Sequence, residues 1–201
     1  MMQDPPIAAI LAGGLARRMG GGDKCLLTVA GRPILAHIVE RLAPQSPRLI
    51  LNANGDPARF KRFGLSVVPD DLPGHPGPLA GLLAVLDHVA AHHAGADLIL
   101  TVPGDTPFLP SDLVERLGSA RAHSAIACAA SGGRQHPTVA LWPLALREDL
   151  RAALAEGERA IGRFAARHPV SVVEWPGTPD PFLNVNDADD LAQAESRIAS
   201  R

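Results

Sequence analysis

The strongest constraint on the fold of this chain is an alternation of patterns. Short apolar runs of strand length, at 7–11, 48–52, 66–68, 98–102, 124–129, 138–141 and 170–174, are interleaved with stretches of helical periodicity at 34–42, 79–91, 111–121, 144–155 and 188–199. The first run, Ile-Ala-Ala-Ile-Leu, is apolar at every position rather than every second one, so that strand must be covered on both faces. Fully buried strands alternating with amphipathic helices predict an α/β fold, a doubly wound, mostly parallel sheet with helices on both faces. Helix boundaries carry chemical markers. Pro33 suits a first turn, Pro110-Ser111-Asp112 offers a capping side chain ahead of Leu113, Val114 and Leu117, and Pro44 and Gly157 follow helix ends. A length of 201 residues fits one domain, 1–201.

The first apolar run opens into the segment Leu11-Ala12-Gly13-Gly14-Leu15-Ala16-Arg17-Arg18-Met19-Gly20-Gly21-Gly22-Asp23-Lys24, which packs glycines and cations together. Glycines let backbone N–H groups turn toward anionic oxygens, and Arg and Lys heads neutralise charge, so the loop suits phosphates; a long glycine-rich surface turn is the plainer alternative. Only Lys61 joins Lys24 as a lysine in a chain that otherwise uses arginine, which marks 24 as a place for a compact, rotatable ammonium. A Walker A loop is excluded, because Asp23 separates Gly22 from Lys24 and Cys25 stands where a Ser or Thr belongs. The dinucleotide fingerprint G-x-G-x-x-G is absent, and residues 26–29 and Gly31-Arg32-Pro33 intervene before the next helix.

Ligands of an open parallel sheet lie beyond the carboxyl ends of its strands. Gly13 and Gly14, Asn52, Asp70 and Asp105 all follow predicted strands. Singly, Asn52 and Asp70 read equally as turn formers, and Asp105 as the closing residue of Pro103-Gly104-Asp105-Thr106-Pro107. As ligands, Asn52 offers both a donor and an acceptor to a base or ribose, and one rigid carboxylate at a strand end is a suitable partner for Mg²⁺ shared with substrate phosphates. Gly81 lies in the first turn of a helix whose amino end faces the same edge, and would clear space for a close ligand. Further on, Gly132-Gly133-Arg134-Gln135-His136-Pro137 joins a flexible turn to polar groups, although His136 alone reads as a surface histidine and Asn186 as a possible helix cap. His88, His92 and His93 have helical metal spacing but no accompanying carboxylate motif, and a helix C-terminus suits histidines for its dipole alone.

Composition narrows the partners. A net charge of -2 and 3% aromatic residues, with Tyr absent, argue against nucleic-acid binding, which needs basic patches or stacking platforms. The two cysteines, Cys25 and Cys128, have no ligand-like spacing, so a disulfide framework or structural zinc is not expected. No basic amino-terminal region or membrane-length apolar run is present, so a cytoplasmic location away from the membrane is the expectation.

The loop at 11–24 resembles the L-A-[GA]-G-x-x-x-R-M-G-x-x-K signature of Rossmann-like nucleotidyltransferases, and its Gly-Gly-x-Asp-Lys form is similar to that of the molybdenum cofactor guanylyltransferase family. Leu51-Asn52-Ala53-Asn54, Val68-Pro69-Asp70, Pro76-Gly77-Pro78-Leu79-Ala80-Gly81, Pro103-Gly104-Asp105-Thr106-Pro107, His136-Pro137-Thr138 and Asn184-Val185-Asn186 follow in family order across nearly the whole chain. The resemblance implies transfer of GMP from GTP to molybdopterin with Mg²⁺ and release of pyrophosphate. It implies catalytic roles for Arg18, Lys24 and Asp105, with Asp105 also the metal ligand. GTP contacts fall to Leu11, Ala12, Gly13, Gly14, Lys24, Asn52, Asp70, Gly81 and Asp105. Molybdopterin contacts fall to Arg134, His136, Asn184 and Asn186, so the amino-terminal part would hold GTP and the carboxy-terminal part molybdopterin. Other implied partners are molybdenum-cofactor biosynthesis proteins and the target molybdoenzymes or their chaperones. Cytidylyl relatives carry Leu-Ala-Ala-Gly, so by resemblance Gly13 favours GTP. Cytidylyl transfer, sugar-phosphate activation and noncatalytic carriage of molybdopterin are the alternatives.

Overall fold

The computed structural model describes residues 5–13, 22–71, 77–121 and 124–200. Its strands are β1 (Ile7–Leu11), β2 (Thr28–Val29), β3 (Arg32–Pro33), β4 (Leu49–Asn52), β5 (Ser66–Val68), β6 (Leu98–Pro103), β7 (Ile126–Ser131), β8 (Arg134–Pro143) and β9 (Val170–Glu174). Its helices are α1 (Ile34–Leu42), α2 (Pro78–His92), α3 (Leu113–Ala120), α4 (Arg147–Ala155), α5 (Ile161–Ala165) and α6 (Ala188–Ala199). The main sheet has seven strands in the order β5-β4-β1-β6-β8-β7-β9, and β2 pairs only with β3. β8 runs antiparallel to both β6 and β7, and the other pairings in the sheet are parallel.

Strand alternation divides the core. Ala8 and Ile10 of β1, with Leu100 and Val102 of β6, pack against Ile34, Leu35 and Ile38 of α1, Leu113 and Leu117 of α3 and Ala194 of α6. Ile7, Ala9 and Leu11, with Ile99, face the other way onto Leu79, Leu82 and Val85 of α2, Leu150 of α4 and Phe164 of α5. The two-residue period of a strand thus serves a layer of helices on each face, as the alternating pattern predicts. Across the antiparallel β6–β8 pair, the buried Trp142 indole donates to Thr101 Oγ1 at 2.9 Å, so the largest core side chain leaves no polar atom unmet.

Several boundaries differ from the sequence expectation. The short β2–β3 hairpin and α5 were not anticipated, because two-residue strands and a single helical turn carry no periodic signal. β8 begins at Arg134 rather than 138, since Pro137 falls where the β7–β8 register shifts, the kind of irregularity at which a sheet tolerates a residue without an N–H. Residues 144–146 form a 3₁₀ turn ahead of α4. Pro33 precedes α1 rather than occupying its first turn. Asp112 flanks α3 without capping it, and its carboxylate instead accepts the Trp175 indole N–H at 2.9 Å.

The chain crosses over at β1: β4 and β5 lie on one side of it and β6 on the other, which opens a crevice beyond the carboxyl ends of β1 and β6. Because β8 is antiparallel, its first residues reach the same edge. Gly132 and Gly133 make the turn with φ of 56° and 74°, the positive angles that a tight hairpin demands.

Candidate active site

At this edge Lys24 Nζ lies 3.0 Å from Asp105 Oδ2 and 2.6 Å from Asn186 Oδ1. Three distant segments therefore meet at one ammonium. Lys24 starts a 3₁₀ turn, Asp105 follows β6, and Asn186 precedes α6. The carboxy-terminal segment is fastened there twice more, by Val185 N–H donating to Asp105 O at 2.9 Å and Thr106 Oγ1 donating to Asn184 Oδ1 at 2.7 Å. Asn186 is not the helix cap. Asp187 is, its carboxylate accepting from the N–H groups of Asp189 and Asp190, which leaves the Asn186 side chain for Lys24.

Asp105 Oδ1 is buried and has no hydrogen-bond partner among the described residues. An ionised carboxylate oxygen in that condition is costly unless a cation or donor arrives, so the donor set fits a hard divalent ion completed by substrate oxygens. Among the described residues no group of three or more His, Cys, Asp or Glu could hold a metal ion by itself.

A second cluster lies beside the first. Asn52, buried at the end of β4, donates to Val68 O at 3.1 Å and Asp70 Oδ1 at 2.9 Å, while Asn54 Nδ2 donates to Asp70 Oδ2 at 2.8 Å and Asn54 Oδ1 accepts from Asp70 N–H at 2.7 Å. Both Asp70 oxygens are thereby aimed. The sequence leads one to expect Asn52 in contact with the ligand. The structure gives its amide a further task, that of holding Asp70. Gly81 is likewise explained by packing within the protein: a Cβ there would stand 2.2 Å from Asn52 Oδ1. A Cβ on the exposed Gly13 would instead meet nothing within 4 Å among the described residues. Leu11 and Ala12 are buried at the crevice floor, and Ala12 N–H donates to Asn52 O at 2.8 Å. Gly14 and Arg18 lie outside the described residues.

Arg59, which sequence reasoning missed, grips Asp23 with Nε at 2.5 Å and Nη2 at 3.1 Å and also donates to the carbonyls of Asn54 and Asp56. This bidentate clamp ties the residue before Lys24 to the connection after β4. No spacing rule links positions 23 and 59, so only the fold reveals it.

On the carboxy-terminal side, Arg134 is exposed at the hairpin, and His136 is half-buried with its ring 4.9 Å from that of Phe182. His136 Nε2 lies 2.7 Å from Ser131 Oγ, which also donates to Asp180 Oδ1 at 2.7 Å. Burial lowers the His136 pKa, with Asp180 opposing. Burial likewise pushes the thiols of Cys25 and Cys128 up to about 12 and about 11, too high for either to act as a thiolate near neutrality.

An open sheet with this crossover, and with a lysine and a carboxylate meeting beyond its first strand, suits a phosphorylated ligand at that edge. The chain belongs to the MobA-like NTP transferase family, whose domain model matches residues 8–172. It is 58% identical to a molybdenum cofactor guanylyltransferase of Bradyrhizobium sp. (strain ORS 278), over 95% of this chain and 92% of that one. It is 57% identical to a molybdenum cofactor guanylyltransferase of Rhodopseudomonas palustris (strain BisB5), over 100% of this chain and 98% of the relative. The fold is also that of the molybdopterin-guanine dinucleotide biosynthesis protein A of Archaeoglobus fulgidus, with a TM-score of 0.76 at 22% identity, covering 96% of this chain and 99% of the other. No helix among the described residues is long and apolar enough to cross a membrane.

Proposed function

We propose that the protein transfers GMP from GTP to molybdopterin, the terminal phosphate of the pterin attacking the α-phosphate and pyrophosphate leaving. The observation that carries this reading is the junction of Lys24, Asp105 and Asn186, because it joins the nucleotide side of the crevice to the carboxy-terminal segment at one charged centre. Attacking and leaving groups are both anionic, so neutralising charge is the main catalytic task and no covalent nucleophile is required. Lys24, with Arg18, shares the charge that grows on pyrophosphate. Mg²⁺, when bound by Asp105 and the triphosphate, supplies further neutralisation and orients the phosphates.

Leu11, Ala12, Gly13 and Gly14 line the nucleotide with backbone, and Gly81 keeps the space that Asn52 occupies. Asp70, aimed by Asn52 and Asn54, takes an N–H or hydroxyl of the nucleoside. Arg134, His136, Asn184 and Asn186 receive molybdopterin. The chain acts as one domain in the cytoplasm, its amino-terminal part holding GTP and its carboxy-terminal part the pterin. Its product passes to molybdoenzymes or their chaperones, and other molybdenum-cofactor biosynthesis proteins supply its pterin substrate.

The test is pyrophosphate release with molybdopterin and each of GTP, CTP, ATP and UTP in turn. Release confined to GTP, with formation of the guanine dinucleotide, is the expected result. Preference for CTP, activity only with a sugar phosphate, or nucleotide binding without turnover would each overturn the proposal in favour of a different enzyme or a carrier.

A further inference from the structure

We propose that Ser131 and Asp180 are positioning residues that act through His136, presenting its Nδ1 as a hydrogen-bond acceptor for an N–H of the pterin heterocycle. The inference rests on the reading of molybdopterin as the second substrate and deepens it.

The argument is a count of protons. Ser131 Oγ is 2.7 Å from both Asp180 Oδ1 and His136 Nε2, and it has one hydrogen to give. Asp180 Oδ1 already accepts from Phe182 N–H at 2.8 Å, and an ionised carboxylate can only accept. The serine proton therefore points to Asp180, its lone pair must be met by Nε2–H, and the neutral imidazole is left with its own lone pair on Nδ1. Nδ1 has no hydrogen-bond partner among the described residues, and it is not a sealed atom. Ser131 itself is buried, so the link is shielded from competing water, and the contact with Phe182 restrains the ring.

The groups that bear on the charge of His136 are Asp180 from the loop before α6, Arg134 from its own strand and Glu174 from β9. Asp180 and Glu174 favour the imidazolium, whereas desolvation and Arg134 oppose it and prevail. A neutral acceptor is matched to a ring N–H or amino group and ill matched to a phosphate, which has no proton to offer near neutrality. The placement agrees with this division of labour. The loop that carries Asp180 continues to Asn184 and Asn186, which bond Thr106 and Lys24, so the ring end and the phosphate end of one substrate are served by a single segment.

Nitrogen NMR of the full chain with labelled histidine, together with steady-state kinetics, tests the proposal. Near pH 7.5 the expected spectrum shows His136 as the Nε2–H tautomer, and Ser131→Ala and Asp180→Asn should convert it to a mixture of tautomers. Both variants should raise KM for molybdopterin about tenfold while leaving KM for GTP unchanged. His136→Asn, whose side-chain oxygen can stand near the Nδ1 position, should retain more affinity than His136→Leu. An Nδ1–H tautomer or an imidazolium in the unaltered protein, or an unchanged molybdopterin KM in His136→Leu, would overturn the inference. Failure of the unaltered protein to transfer GMP to molybdopterin is a separate result, visible before any variant is made, and it defeats the proposed function itself.

Discussion

Along the functional edge of the sheet, the parallel side and the antiparallel side hold their polar groups differently. Beyond β1, β4, β5 and β6 the side chains are fastened to one another: Asn52 is buried, both Asp70 oxygens are bonded, and Lys24 is shared between Asp105 and Asn186. Beyond β7 and β8, Arg134 stands exposed and, among the described residues, His136 is bonded through one ring nitrogen. Preorganised groups suit a step in which charge moves and reorganisation must be small. Groups left outside suit recognition, where binding itself completes the arrangement.

Substitutions test this contrast most sharply at the centre. Asp105→Ala should lower kcat for GMP transfer by about 10³ and weaken its dependence on divalent ion, as removal of a main charge-stabilising contact does. Lys24→Ala should cost about 10² in kcat even at saturating GTP, a pattern expected if the ammonium acts mainly on the transition state; an effect confined to KM would move Lys24 to the binding side of the comparison.

Two glycines offer a smaller and paired effect. Gly81→Ala drives a methyl group into Asn52 and should destabilise the fold by about 1–3 kcal/mol in denaturant titration while raising KM for GTP. Gly13→Ala meets no atom of the described residues and should leave stability within about 0.5 kcal/mol, so a rise in its KM for GTP at unchanged stability reports on the nucleotide. On the recognition side, Arg134→Ala should raise KM for molybdopterin several-fold with Tm unchanged; a large loss of stability would mean that the hairpin is as fastened as the centre.

The weakest expected effect is on stability against pH. The folded-state pKa of His136 lies below its ordinary value, so the unfolded chain binds more protons between the two and stability rises with pH across that window. Acidification toward the lowered pKa should therefore destabilise the native protein, and His136→Asn should show a smaller loss between pH 7 and pH 5 by thermal denaturation.

Much of the fold is legible in residue order because each buried strand and each amphipathic helix writes its own period. What escapes are features whose cause lies elsewhere in the chain. Pro137 hides the start of β8 because a strand is not expected to contain it, until the partner strand supplies the register shift. The site divides the same way. Lys24, Asp105, Asn184 and Asn186 stand out through a family pattern, but the bond from Lys24 to Asn186 spans 162 positions and no local rule contains it. Arg59, Ser131 and Asp180 carry no pattern of their own and matter only through what they hold. At Gly81 residue order points to freedom for a ligand, and what only the fold adds is that the side chain forbidding a Cβ there belongs to Asn52.

The position of β1 has a consequence for how the chain is made. It precedes the other strands of its sheet in the chain, yet it lies inside the sheet, with Ile7 opposite Ile99. At cellular elongation rates its second neighbour reaches it on the order of 10 s later, and until then an entirely apolar strand has an open side. Pairing so remote in sequence is intrinsically slow and exposed to aggregation, so the ribosome's pace and chaperone cover bear on the yield of this protein before any nucleotide does.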